Sequence, residues 1–187
     1  HIIVDDCSTD NTKQRIEELC VDFNHAHLSI IKMAENGASA LGSFTKGADS
    51  YEEFIKPEDV IFWLDGDDWL CDPRAIKKMM AAYARNPEVE MCYSDHINWY
   101  GESKIGTGYS HMLGDRTLVR YAHVAYSHLR SFKPHMLDFV EEWRLKDKDG
   151  EYWKFAGDAA LLLPMLDIGK RVRYCHEICL TSQQERV

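Results

Sequence analysis

The sequence predicts an α/β fold: a mostly parallel sheet with helices on both faces. Three observations lead there. Short apolar runs alternate with helix-period segments as far as residue 95. One of these runs, residues 60–64 (Val-Ile-Phe-Trp-Leu), is apolar throughout, the mark of a strand buried on both faces. The chain has 187 residues and is 45% apolar, which suits one packed domain over residues 1–187.

Each element has its own reason. Residues 1–4 form an apolar run that ends in Asp5 and Asp6 and reads as a strand; turn chemistry follows as far as Asn11. From Thr12 the apolar residues Ile16, Leu19, Cys20 and Phe23 fall on one helix face. Residues 28–33 read as a second strand, and Asn36-Gly37 as a turn. Residues 38–48 are rich in small side chains and predict a helix, with Gly42 and Gly47 either weakening it or allowing close packing. After the 60–64 strand, Asp72-Pro73 starts another helix, with Asp72 as N-cap and a stripe of Ile76, Met79, Met80 and Tyr83. Residues 88–93 are a further strand. Residues 101–114 are polar and glycine-rich and predict a mobile loop, and two helices are expected near residues 134–144 and 158–166. The chain opens directly on the first strand, so it is expected to lack an N-terminal part of the fold.

Charge narrows the function. There are 31 acidic and 22 basic residues, a formal net charge of −9. That balance argues against a nucleic-acid partner and against docking on anionic lipid. An anionic ligand stays possible, because a bound divalent cation reverses the local potential. No apolar run approaches the roughly 18 residues of a membrane span. Six cysteines at 7, 20, 71, 92, 175 and 179 form no CxxC pair, and read as reduced thiols.

The most informative segment is Leu64-Asp65-Gly66-Asp67-Asp68. Three carboxylates in four residues leave the end of a buried strand, where open α/β sheets bind ligands. Their mutual repulsion needs an offset from water or cations. Mg or Mn prefers oxygen ligands and takes one or two carboxylates plus phosphate oxygens. The same residues can also be read as an acidic turn that caps the next helix. An EF-hand frame started at Asp65 fails, because Trp69 and Ile76 fall where oxygen ligands belong. A second acidic strand end, Asp5-Asp6-Cys7-Ser8, could accept hydrogen bonds from a nucleobase or ribose, or could simply be a turn.

These two segments together carry a resemblance. Residues 2–12, Ile-Ile-Val-Asp-Asp-Cys-Ser-Thr-Asp-Asn-Thr, closely resemble the Val-Asp-Asp-Gly-Ser-Thr-Asp run of family 2 glycosyltransferases, which have the Rossmann-like GT-A fold. Leu64-Asp65-Gly66-Asp67-Asp68 resembles their Leu-Asp-Ala-Asp-Asp segment. Residues 128–133, His-Leu-Arg-Ser-Phe-Lys, look like the His-Leu-Arg-Thr-Phe-Lys element of a bacterial subgroup, and the stretch from Trp153 to Asp158 looks like its acceptor-side segment.

The resemblance implies a metal-dependent, inverting transfer of a sugar from a nucleoside-diphosphate sugar to a hydroxyl of a glycan acceptor, in polysaccharide or glycan synthesis. It implies a donor-binding half over residues 1–95, an acceptor-binding half over 96–187, and a cytoplasmic setting. Asp6 would contact the base, beside Asp5 and Ser8. Asp65 and Asp67, with Asp68 beside them, would serve ribose and a diphosphate-bound Mn or Mg ion, and His176 is a candidate further ligand. Arg130 and Lys133 could face the diphosphate. Asp158 would be the general base, although Gly157 stands where the family has Glu, and Cys7 replaces the usual glycine. Trp99, Tyr109, Trp143 and Trp153 could stack on sugar rings. Two other readings compete: a nucleotidyltransferase-like nucleotide-dependent enzyme, and a non-catalytic sugar- or metal-binding domain.

Overall fold

The computed structural model describes residues 1–22, 29–33, 39–98, 104–105, 129–169 and 172–182. The expected turn at Asn36-Gly37 and nearly all of the expected 101–114 loop lie outside these residues. The chain forms two compact units. The first comprises His1–Ile55 and Glu142–Leu161, and the second Lys56–Glu141 and Leu162–Val187.

In the first unit, β1 (Ile2–Asp5) pairs in parallel with β2 (Ser29–Lys32), with Ile2 opposite Ser29 and Asp5 opposite Lys32. Helix α1 (Thr12–Asp22) connects them in sequence. Its start is set by Asp10, whose carboxylate accepts the Thr12 N–H at 2.9 Å. Helix α2 (Ala40–Ser50) is capped by Ser39, whose hydroxyl accepts the Gly42 N–H at 3.3 Å. It lies on β1 through Gly47, where a Cβ would come within 3.0 Å of Val4 Cγ2. Close packing, one of the two meanings open for Gly47, is therefore its role.

The second unit is built on a six-stranded sheet. Its strands are β3 (Ile61–Trp63), β4 (Trp69–Leu70), β5 (Met91–Asn98), β6 (Lys104–Ile105), β7 (Arg130–Phe132) and β8 (Val172–Ser182). The order is β3-β7-β5-β8-β4, with β6 alongside β5. β5 and β8 run parallel; β7 is antiparallel to both β3 and β5, and β4 to β8. The α/β class stands, but the sheets are partly rather than mostly parallel. β7 is the reason: inserted antiparallel between β3 and β5, it leaves those two strands pointing the same way without pairing.

The structure corrects several local expectations. The 60–64 run does not form a strand buried on both faces. Among the described residues β3 is an edge strand of its sheet, in which Trp63 is buried, and Ile61 and Phe62 are half-buried, while Leu64 after it is exposed. Helix α3 (Ala75–Arg85) buries Ala75, Met79, Ala82 and Tyr83, while Ile76 and Met80 face outward. The alanines, not the larger Ile76 and Met80, complete its inner stripe. Asp72 is not its N-cap. Arg74 holds that place, and Asp72 works two residues earlier, accepting the Arg74 N–H at 2.8 Å and pairing with Lys78 at 2.9 Å. The expected 134–144 helix is two 3-10 turns, Pro134–Phe139 and Glu142–Leu145. Helix α4 (Gly157–Ile168) covers the last expected helix, with Pro164 inside it.

The core of the second unit gathers α3 against Val89, Cys92 and Leu129. Phe132, Met136 and Met165 are also fully buried. One polar chain crosses this core. The Tyr83 hydroxyl meets Ser131 Oγ at 3.1 Å, and Ser131 donates to the Cys92 carbonyl at 3.3 Å. Burial pushes the Tyr83 phenol well above its ordinary range, so it stays a neutral hydrogen-bonding partner. Hydrogen bonding with Cys175, and then burial, likewise raise the Cys92 thiol.

Two predictions follow from this packing. Phe132→Ala empties a fully buried site and should cost about 3–5 kcal/mol in urea denaturation. The hydrogen bond from Lys78, and then those from Arg74, hold the Asp72 carboxyl well below its ordinary 3.8. The stability this pairing contributes is therefore complete above 3.8 and is lost as pH falls toward the lowered folded value. Asp72→Asn should accordingly lower the denaturation midpoint at neutral pH, by an amount that shrinks in titrations run at successively more acid pH.

Candidate functional site

Two acidic strand ends and one helix start carry the expected chemistry. In the first unit, β1 ends at Asp5, which is buried. Its Oδ1 accepts the Ser8 N–H at 3.0 Å, and its backbone carbonyl accepts the Met33 N–H at 3.0 Å. Asp5 thus holds the loop that carries Asp6, which is half-buried, and Ser8, which is exposed. Cys7 sits between them at φ +60°, and its thiol donates to the Met33 carbonyl at 2.9 Å. A cysteine in place of glycine therefore occupies a left-handed position and offsets part of the strain with a hydrogen bond.

Asp158 belongs to the same unit and opens α4. It is half-buried, and its Oδ1 accepts the Ala159 N–H at 2.8 Å. The preceding Ala156 is left-handed at φ +54°. A Cβ on Gly157 would stand 2.7 Å from Leu41 Cβ. That crowding against α2 is why glycine, and no larger side chain, precedes Asp158 here.

In the second unit the Asp-x-Asp segment is a tight turn, closed by the Asp68 N–H donating to the Asp65 carbonyl at 3.1 Å. Asp65 and Asp68 are half-buried; Gly66 and Asp67, at the centre of the turn, are exposed. The turn joins β3 and β4, which occupy the two edges of the β3-β7-β5-β8-β4 order. Residues 64–68 therefore carry the chain from the end of β3, in the row of Tyr93 and Tyr174, to β4, where Trp69 pairs with Thr181 near the carboxyl end of β8. β8 is irregular beside the middle of β5. Its pairing with β5 shifts register between Ser94 and Asp95 and again between Asp95 and His96.

His176 falls in the first of these shifts, because Ser94 pairs with Cys175 and Asp95 with Ile178. Its backbone is two residues past Tyr174, as Asp65 is two past Trp63, in strands whose rows are joined through Tyr93 and Arg130. Its side chain is outside the described residues, as are Trp99, Tyr109 and His128. Arg130 is one row further in. It lies opposite both Trp63 and Tyr93, is buried, and holds its guanidinium 5.7 Å from the centre of the Trp63 ring. Lys133 is not brought to this edge. It follows Phe132, which pairs with Ile61 at the start of β3, so it stands at the opposite end of the sheet, where its ammonium donates to the Pro87 carbonyl.

The donor set of the turn suits a small, hard divalent cation. Its carboxylates lie on one short turn, and one of them is open to solvent. No group of three or more His, Cys, Asp or Glu side chains among the described residues is arranged to hold a metal. Two carboxylates match an ion that completes its shell with phosphate oxygens and water.

Comparison with known proteins agrees with this geometry. A family model described as glycosyl transferase family 2 matches residues 1–137. Among solved structures, S. aureus TarS 1-349 in complex with UDP is 15% identical, with a TM-score of 0.65 over 98% of this chain and 50% of that one. S. aureus TarS 1-349 gives a TM-score of 0.62 over 97% and 50%, and S. aureus TarS 0.61 over 98% and 30%, each at 15% identity. These likenesses show the fold, and this chain spans half or less of those proteins. No curated protein matches. No helix among the described residues is long and apolar enough to cross a membrane.

The strained loop after β1 makes a prediction. Cys7→Val places a β-branched side chain at φ +60° and removes the thiol hydrogen bond, so it should cost about 1–3 kcal/mol in thermal or urea denaturation. Cys7→Gly should sit close to the wild type, because relief of strain offsets the lost bond.

Proposed function

The chain belongs to glycosyl transferase family 2 and is a glycosyltransferase; on that premise we propose that it moves a sugar from a nucleoside diphosphate to a hydroxyl of a glycan acceptor, with inversion and with a bound Mn or Mg ion. The observation that carries this reading is the Asp65–Asp68 turn, set at the carboxyl edge of the second unit's sheet with Asp67 exposed. UDP is the nucleotide named with one structural relative, which makes it the first donor base to try.

Each residue then has a role. Asp5 holds the loop after β1, and Asp6 and Ser8 offer hydrogen-bonding groups to the base and ribose. Asp65 and Asp67 would hold the cation, with the Asp68 N–H closing the turn and His176 of β8 a candidate further ligand. A bound cation supplies Lewis-acid stabilisation for charge on the diphosphate. Arg130 keeps a permanent positive charge one row behind the turn. Asp158 takes the proton from the acceptor hydroxyl as that oxygen bonds to the anomeric carbon. The bond from that carbon to the phosphate oxygen breaks, and its electron pair leaves with the nucleoside diphosphate. The proton on Asp158 passes to water, so the step balances.

Calorimetric titration of UDP, GDP and dTDP, with and without Mn, tests the donor side. One nucleotide should bind in the presence of Mn, and Asp67→Asn should remove that binding. Equal affinity in wild type and Asp67→Asn would sink the assignment of the turn. Asp158→Asn tests the acceptor side. It should leave nucleotide affinity unchanged and slow product formation by about 10²–10⁴-fold.

A further inference from the structure

Helix α3 differs from the other described α-helices in its charge. It carries Lys77, Lys78 and Arg85 and no acid, while α1 and α2 mix both signs and α4 carries acids alone. The chain has 31 acidic and 22 basic residues, so a basic helix without a carboxylate runs against its composition. The carboxylates nearest in sequence are Asp72 and Glu88. Asp72 accepts the Arg74 N–H and pairs with Lys78 at 2.9 Å, and Glu88 is exposed beyond Arg85.

The cations gather on one side of the second unit. The inner stripe of α3, Ala75, Met79, Ala82 and Tyr83, is buried. A helix turns about 100° per residue, so Lys77, Met80, Ala81 and Ala84 point away from that stripe, flanked by Ile76 and Arg85. Arg74, just before the first turn, falls on the same side. All of these are exposed except Ala81, which is half-buried. Ile76 is 37% exposed and Met80 40%, one turn apart. Arg173 of β8 adds another cation on the α3 side of the sheet. It pairs with Cys92, which packs into the α3 core, and it is itself exposed.

This composition selects the occupant. The outer face of α3 offers cationic heads on long apolar stems, two bare aliphatic side chains and two alanines, and no acceptor side chain. A fitting partner is anionic and also takes up apolar groups. An anionic bilayer surface has both properties. Its headgroup phosphates meet the Lys and Arg heads, and Ile76 and Met80 enter the acyl boundary beside the stems. A single-stranded nucleic acid would use aromatic rings for stacking, and the one aromatic residue within 72–85, Tyr83, is buried. The formal net charge of −9 argues against lipid docking only for the chain as a whole. Salt screens charges beyond about 8–10 Å, so a bilayer meets the local face and not the sum.

We propose that the outer face of α3, built from Arg74, Ile76, Lys77, Met80 and Arg85, docks the chain reversibly on an anionic lipid bilayer. The contact needs no nucleotide, metal or acceptor, and so stands apart from sugar transfer.

Cosedimentation of the full chain with vesicles tests it. The vesicles are phosphatidylcholine alone, or phosphatidylcholine mixed with phosphatidylglycerol, at low and high salt. The chain should pellet with the mixed vesicles at low salt. It should stay in solution with phosphatidylcholine alone, and largely so at high salt. Lys77→Gln and Arg85→Gln should each weaken binding about fivefold, the effect of one charge near the surface. Ile76→Ser and Met80→Ser should weaken it at unchanged charge. Lys13→Gln and Lys46→Gln, on α1 and α2, should bind as wild type, and the melting temperature should be the same for the whole α3 set. Membrane docking is overturned if the mixed vesicles leave the chain in solution at low salt, or if the α3 charge variants bind as wild type. It is overturned too if both serine variants bind as wild type, which would leave a plain polyanion site suited to an acidic protein. The nucleotide titration tests sugar transfer separately, so either reading can fail alone.

Discussion

The second unit depends on one geometric demand. The chain leaves β3 at one edge of a sheet and must enter β4 at the other within residues 64–68. Between those edges the pairing of β8 with β5 shifts register twice. The acidic turn follows from this demand. A segment obliged to cross the strand ends cannot be buried among them, so its central residues, Gly66 and Asp67, meet solvent. The same irregularity sets the His176 backbone out of regular pairing with β5.

Behind that edge the sheet offers a stiff support. Trp63, Arg130, Tyr93 and Tyr174 lie in one row across β3, β7, β5 and β8. In this row the Arg130 guanidinium lies over the Trp63 ring. The next row out is fixed by Ser94, whose hydroxyl accepts the Leu129 N–H at 2.9 Å and so registers the entry to β7. In the first unit the comparable support is a buried carboxylate. Asp5 accepts the Ser8 N–H through its side chain and the Met33 N–H through its carbonyl, and so holds the loop that carries Asp6.

Much of this was legible in the residues. The helix periods of α1 and α3, the acidic strand ends and the small-residue helix all have direct physical signatures, and each forms. What escaped needed three-dimensional information. Ala75 and Ala82 carry the inner face of α3, yet alanine gives a weaker signal than Ile76 and Met80. The 60–64 run looks doubly buried because apolar content cannot tell an edge strand beside β7 from a central one. β7 itself is three residues long and contains a buried arginine, so no alternation marks it. The position of Lys133 depends on strand direction, which no local motif records. The stretch leading to Asp158 was visible as aromatic; that Trp143, Trp153 and Phe155 stay exposed was not.

The first unit is assembled from two stretches separated by residues 56–141. That arrangement orders its synthesis. When β1, β2 and α2 have left the ribosome, the segment that supplies Leu145, Tyr152 and the start of α4 is still unmade. The apolar surfaces of Leu41 and Gly42, buried in the finished unit, have to wait for it. Such long-range closure is slow and leaves the nascent chain exposed to wrong partners in the interval. The first unit is therefore complete only once residues 142–161 have been translated, although the loop after β1 draws its own hydrogen bonds from residues 5–33.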